Sequence, residues 1–158
     1  MSIDLELGSA LLERLLAREE TVASAESLTG GALGAALSAT PGSAKFYRGG
    51  VIVYATDLKN AFLGVDQDLL ASKGPVDPEV ARQMAEGVRR HASATWGLAT
   101  TGVAGPGDTD DGPEGLVYIG IAGPAGVEAI ELRLGTGRDQ VRAETVTRAL
   151  RLLLDHLT

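Results

Sequence analysis

The stretch 21-TVASAESLTGG-31 decides how the rest of the chain is read. Thr21 to Ala25 is a short apolar run of the kind that makes a buried strand. Glu26 and Ser27 end it. Thr29, Gly30 and Gly31 then open a helix predicted to run from Gly30 to about Ala39. A strand feeding a helix through a tight turn is the repeating unit of an α/β sheet. The hydroxyl of Ser27 falls on that turn. Regular structure on both sides would hold it, and backbone N–H groups at the helix start would face an anion formed beside it.

Outward from this turn the same alternation continues. Asp4–Glu20 reads as an amphipathic helix with Leu5, Leu12, Leu15 and Leu16 on one face. After the break at 40-TPGS-43, the run Val51–Ala55 (VIVYA) reads as a second buried strand. Thr56–Gly64 is predicted to be a short helix carrying Lys59, and Asp66–Lys73 another, stopped by Gly74 and Pro75. Asp77 is placed to cap a helix that has Pro78 in its first turn and runs to about Ala94. Trp96–Thr101 is a third strand, running into the loop Gly102–Gly112. Gly115–Ala122 alternates with Val117, Ile119 and Ile121 on one face and Leu116, Tyr118 and Ala122 on the other, Gly126–Leu134 alternates apolar and charged residues, and the Gly123–Gly126 turn between them predicts an antiparallel hairpin. Arg138–Leu157 closes the chain as a helix. The expected fold is a three-layer α/β/α sandwich on a mixed sheet, parallel early and antiparallel late. No repeat or linker interrupts it, so residues 1–158 are expected to form one domain.

Composition narrows the function. The net charge of −7, the 4% aromatic content and the lack of a basic cluster argue against direct nucleic-acid binding. With no cysteine, disulfides, thiolate nucleophiles and Cys-ligated zinc are all removed. Asp108, Asp110, Asp111 and Glu114 resemble a metal loop but fail EF-hand spacing, since Ile119 stands at the twelfth position. No metal or cofactor is expected. Asp4, Glu6, Glu13, Glu19 and Glu20 are wrong for a signal peptide, and the longest nearly uncharged run, Gly115–Val127, is too short for a membrane span. A cytoplasmic protein is expected.

Three glycine-rich turns sit where strands end or a helix begins: Thr29-Gly30-Gly31, Gly102–Gly107 and Gly135-Thr136-Gly137. Each alone reads as an ordinary turn; together they predict a shared anion site. Arg138 and Arg142 stand four apart in the first turns of the last helix, where cations oppose the helix dipole unless an anion is bound nearby or Asp139 and Glu144 screen them. Ser27 as a nucleophile needs a base. His91 and His156 fall late in helices on structural patterns, which disfavours a Ser-His-Asp triad. Lys59 follows the second strand, and desolvation would lower its pKa enough for a neutral amine to take the serine proton. By spacing alone, a solvated lysine is the stronger reading. Ser43 is a second hydroxyl, on a Pro-Gly-Ser sequence that usually makes only a turn.

Ala25-Glu26-Ser27-Leu28-Thr29-Gly30-Gly31 resembles the AES-x-TGG signature of the CinA C-terminal domain family, whose members include bacterial nicotinamide mononucleotide deamidases. The resemblance continues through Gly42-Ser43 with Phe46, Gly50 with Tyr54, Lys59, Gly102–Pro106, and Gly137-Arg138 with Arg142, spanning nearly the whole chain. It implies hydrolysis of the carboxamide of nicotinamide mononucleotide to nicotinic acid mononucleotide and ammonia, by Ser27 and Lys59 and without a metal. Glu26, Thr29, Gly30, Gly31, Ser43, Tyr54, Thr101, Gly102, Gly105, Arg138 and Arg142 match positions implied to surround the substrate, with Arg142 and the glycine loops on its phosphate. Glu26 is expected to orient the turn or Lys59 rather than act as the base. A homo-oligomer is also implied. Two departures stand out: Leu28 where the family commonly has Cys, and Gly112-Pro113-Glu114-Gly115 where a Lys-Pro-Val-Gly-like stretch is common, which puts an acid in place of a cation. The alternative is a nucleotide-binding or interaction module without turnover, tied to competence or DNA damage; ammonia release separates the two.

Overall fold

The predicted alternation of strands and helices is carried through in the computed structural model, which describes residues 4–158. Helix α1 (Leu5–Arg18) starts at Asp4, whose carboxylate accepts from the Leu7 N–H at 3.0 Å and so satisfies a first-turn donor. Its buried face is Leu7, Leu11 and Leu15, while Leu5 and Leu16 are exposed, so the predicted face is rotated. The i, i+4 ladder of leucines decides the face, not the leucine count. Strand β1 (Val22–Glu26) is buried at every residue. Gly30 and Gly31 adopt left-handed conformations, so α2 (Ala32–Ala39) begins two residues later than predicted.

Next come β2 (Tyr47–Ile52), α3 (Thr56–Leu63), α4 (Gln67–Lys73), α5 (Pro78–His91) and β3 (Trp96–Gly102). The hairpin β4 (Leu116–Gly123) and β5 (Gly126–Arg133) follows, then α6 (Arg138–His156). The five strands lie in the order β2-β1-β3-β4-β5. β1 runs parallel to β2 and β3; β4 is antiparallel to β3, and β5 to β4. Alternate strand side chains feed two cores. Val22, Leu98, Ile119 and Ile121 pack with residues of α1, α2 and α6 on one face. Ala23, Ala25 and Ala99 pack with α3, α4 and α5 on the other. The fold is therefore a three-layer α/β/α sandwich on a mixed sheet.

The second strand departs from its prediction. It spans Tyr47–Ile52 rather than Val51–Ala55 and is only half covered, with Ile52 and Tyr54 50% and 59% exposed. β2 is an edge strand, and its pairing with β1 runs from Val22–Tyr47 to Glu26–Ile52. An apolar run reports that a segment can be buried, not which of its sides has a neighbour.

On the other side, α5 lies almost directly on the sheet backbone. A Cβ added to Gly97 would fall 2.0 Å from the Ala85 carbonyl oxygen, and one on Gly120 would fall 2.1 Å from that of Ala81. Gly120→Ala must push α5 off the sheet. It is expected to lower stability by about 2–3 kcal/mol, read as a lower denaturant midpoint at unchanged slope.

The topology also places a crevice. From β1 the chain crosses to β2 on one side, then returns to β3 on the other. In open α/β sheets ligands bind at such a switch point, outside the carboxyl ends of the strands. Ser27, the Gly102–Gly107 loop and the helix carrying Lys59 all follow strands at that end. No helix among the described residues is long and apolar enough to cross a membrane.

Candidate active site

Ser27 is the first residue beyond β1. Its N–H donates to the Thr100 carbonyl of β3 at 3.0 Å, and its carbonyl accepts from Gly30 N at 3.0 Å. Two strands and a closed turn thus fix the backbone on which the hydroxyl sits. Glu26, 2% exposed, folds back beneath that turn. Its Oε1 accepts from Thr29 Oγ1 at 2.6 Å, Gly31 N at 3.2 Å and Leu33 N at 2.7 Å; its Oε2 accepts from Gly34 N at 2.9 Å. A carboxylate at a helix N-terminus, on several N–H donors, is a strong local anchor. Because Thr29 gives its proton to Glu26, the 2.8 Å contact with Thr100 Oγ1 is one in which Thr100 donates. Glu26→Gln presents an NH2 group to this cluster of donors. It is expected to cost about 2–3 kcal/mol in chemical denaturation.

This arrangement changes the predicted anion site. The Gly30 and Gly31 N–H groups are already taken, by Ser27 and Glu26. The N–H groups of Leu28 and Thr29 meet no acceptor among the described residues. The other glycine turns hold an internal anion as well. Glu114 accepts from Gly107 N through Oε2 and from Gly137 N through Oε1, both at 3.2 Å, and ties the loop after β3 to the start of α6. The acid that departs from the family pattern is a staple in this chain.

Lys59, on α3, is fully buried. Its Nζ lies 3.1 Å from Ser27 Oγ and donates to the Val53 carbonyl at 2.8 Å. Burial pushes its pKa down to about 8, against the weaker opposing pull of Asp111. As a neutral amine it keeps a hydrogen on Val53 O and turns its lone pair to the serine hydroxyl. Neither His91 nor His156 lines the cavity into which this pair opens.

That cavity holds about 260 Å³. Ser27 and Lys59 line it together with Thr101, Gly102 and Gly105 from the end of β3 and the loop beyond, and with Tyr54, Asp111 and Arg138. Thr101 Oγ1 donates to the Pro75 carbonyl at 2.7 Å. Arg138 reaches across, with Nη1 donating to Gly105 O at 2.6 Å and Nη2 to Tyr54 Oη at 3.1 Å. Seven of the predicted site residues are thus brought together: Ser27, Lys59, Tyr54, Thr101, Gly102, Gly105 and Arg138.

Six are not among the lining residues. Glu26, Thr29, Gly30 and Gly31 build the turn beneath Ser27. Arg142 is directed at the same turn, with Nε donating to Leu28 O at 3.0 Å and Nη2 to Thr29 O at 3.2 Å, so its charge supports backbone rather than facing the cavity. Ser43 starts a short 3-10 turn (Ser43–Lys45), where its hydroxyl donates to Ser38 O at 3.0 Å. Sequence reasoning missed Val53, whose role is a carbonyl that no side-chain pattern reports, and Thr100, which reads as an ordinary strand residue. Asp111 enters the sequence only through a loop that fails metal-binding spacing, and no sequence pattern ties it to Ser27 and Lys59.

The fold and the pair define a class: an open α/β domain with a serine–lysine couple buried at its switch point. The chain belongs to the CinA C-terminal domain family, whose sequence profile matches residues 4–157. It is 51% identical over 147 residues to a CinA-like protein of Cyanothece sp. and 49% identical over 150 to one of Gloeobacter violaceus, covering 91% and 93% of this chain. The chain spans about a third of those relatives, 35% of each. Among solved structures it is similar to the competence/damage inducible protein CihA of Agrobacterium tumefaciens, at 34% identity and TM-score 0.92 with 98% of both chains covered. A competence or damage-inducible protein of Enterobacter asburiae matches over the full length of both chains at TM-score 0.95 and 29% identity.

Proposed function

We propose that this domain hydrolyses the carboxamide of nicotinamide mononucleotide to nicotinic acid mononucleotide and ammonia, a step of pyridine nucleotide salvage. The observation that carries the reaction class is the 3.1 Å contact between Ser27 Oγ and the buried Lys59 Nζ, in a cavity at the switch point. The substrate comes from the family resemblance. The Lys59 amine takes the Ser27 proton as Oγ attacks the carboxamide carbon. The oxyanion forms beside the unengaged N–H group of Leu28, which lines the cavity, and one such donor is worth about 3–4 kcal/mol. The Lys59 ammonium then protonates the departing nitrogen, the C–N bond breaks and ammonia leaves. Water attacks the resulting ester with Lys59 again as base, and Ser27 recovers its proton. The Val53 carbonyl orients Nζ through both halves of the cycle.

Ammonia release from nicotinamide mononucleotide, with nicotinamide as the comparison, tests this directly; release from neither would reject it in favour of a silent binding module. The acid limb of kcat/KM is set by free Lys59, with its pKa of about 8. The rate is expected to rise about tenfold per pH unit up to that value and then level off. A limb still rising near pH 10 would overturn the lowered pKa of Lys59, and a profile flat between about pH 6 and 9 would remove Lys59 as the base. Homo-oligomer formation, a cytoplasmic location and the absence of a metal requirement belong to the same proposal. Sedimentation at micromolar concentration, cell fractionation and activity in the presence of a chelator read them in turn.

A further inference from the structure

Asp111 is a carboxylate that this reaction does not use. It lines the same cavity as Ser27 and Lys59. Its backbone N–H donates to Thr109 Oγ1 at 3.1 Å, but its side chain makes no ion pair and no hydrogen bond among the described residues. Glu26 and Glu114, by contrast, are fully engaged with backbone donors. The charge that Asp111 does act on is Lys59, which it favours in the protonated form. For a lysine that must lose its proton, that field is adverse. A positively charged ligand group beside Asp111 would occupy the carboxylate and, as a like charge, favour the amine form of Lys59. The cavity's other cation, Arg138, donates to Gly105 O and Tyr54 Oη and makes no ion pair with Asp111 among the described residues.

We propose that Asp111 selects ligands carrying a cationic ring, an N-alkylated pyridinium, over the same ligand with a neutral ring. This rests on the proposed function, whose substrate has such a ring, and assigns the residue that reads its charge. Oxidised and reduced nicotinamide mononucleotide share ribose, phosphate and carboxamide and differ in ring charge, so they are suitable probes.

The test is calorimetric titration of both forms into Ser27→Ala protein, which binds without turnover, and into the same protein carrying Asp111→Asn. The Ser27→Ala protein is expected to prefer the oxidised form by about tenfold or more, and Asp111→Asn to cut that preference below about threefold by weakening the oxidised form. Asp111 is exposed and the substitution is isosteric, so the fold is kept. A preference that survives Asp111→Asn, or no preference at all, overturns the proposal. Ammonia release by the wild-type protein is scored separately. Release combined with an Asp111-independent preference overturns only the role of Asp111. An Asp111-dependent preference without release overturns only the hydrolase reading. Binding of neither form overturns the role of Asp111, and together with no ammonia release it overturns both.

Discussion

Ser27→Ala is expected to lower ammonia release from nicotinamide mononucleotide by about 10³-fold or more, with nucleotide binding changed less than about threefold. The substitution removes Oγ and little else. The contacts that place residue 27 are made by its backbone, to Thr100 O and from Gly30 N, and the carboxylate beneath the turn belongs to Glu26. The geometry of the Leu28 N–H group should therefore persist. Lys59 keeps its bond to Val53 O and loses only the 3.1 Å contact. Among the described residues Lys59 Nζ contacts no other hydroxyl, and two further hydroxyls of the expected site are engaged elsewhere: Ser43 donates to Ser38 O, and Thr101 to Pro75 O. Hydroxylamine trapping gives an independent readout. The wild-type protein should yield a nicotinyl hydroxamate from the ester intermediate, and the variant none. A variant that keeps a tenth of the activity would mean that water is attacking directly, and the nucleophilic role would be lost.

The fold was largely legible because its signals are local. Asp77 followed by Pro78 marks the start of α5, the alternation of Val117, Ile119 and Ile121 marks β4, and Gly123–Gly126 marks the turn after it. What failed depends on neighbours. The VIVYA run carries the apolarity of a buried strand, yet its position at a sheet edge leaves Ile52 and Tyr54 in solvent. The site divides along the same line. Ser27 could be read as a hydroxyl on a strand-to-helix turn, but Lys59 is 32 positions away, and the parallel pairing of β1 with β2 brings the two together. The glycine turns read as a shared anion site because they present backbone donors. Spacing could not show that the chain supplies two of its own, Glu26 at α2 and Glu114 at α6. Arg142 meets a similar limit: a guanidinium that serves phosphate and one that serves carbonyl oxygens look alike in sequence.

Lys59→Met separates the chemical role of this lysine from its structural cost, because the two effects have opposite signs. Ammonia release should fall by about 10³-fold or more, since the proton of Ser27 then has no acceptor. Stability at neutral pH should rise. The pKa of Lys59 is lowered from an ordinary value of 10.5 to about 8 by burial. Between those values the unfolded chain binds more protons than the folded one, so stability increases with pH across that window. Below about pH 8 the full cost of burying the ammonium is present, about 3 kcal/mol from the size of the shift. Methionine has no charge to desolvate and nearly the same reach, but it leaves Val53 O without its donor, which takes back about 1–2 kcal/mol. The variant is therefore expected to be about 1–2 kcal/mol more stable than wild type at pH 7, with the gain shrinking above pH 8 and reversed near pH 10. Thermal or denaturant unfolding at four pH values between 6 and about 10.5 reads this as two curves that converge and cross. Parallel curves, with the variant less stable throughout, would mean that Lys59 titrates in its ordinary range. A lysine of that kind is protonated at neutral pH, and the proposed base would lose the lone pair on which the mechanism depends.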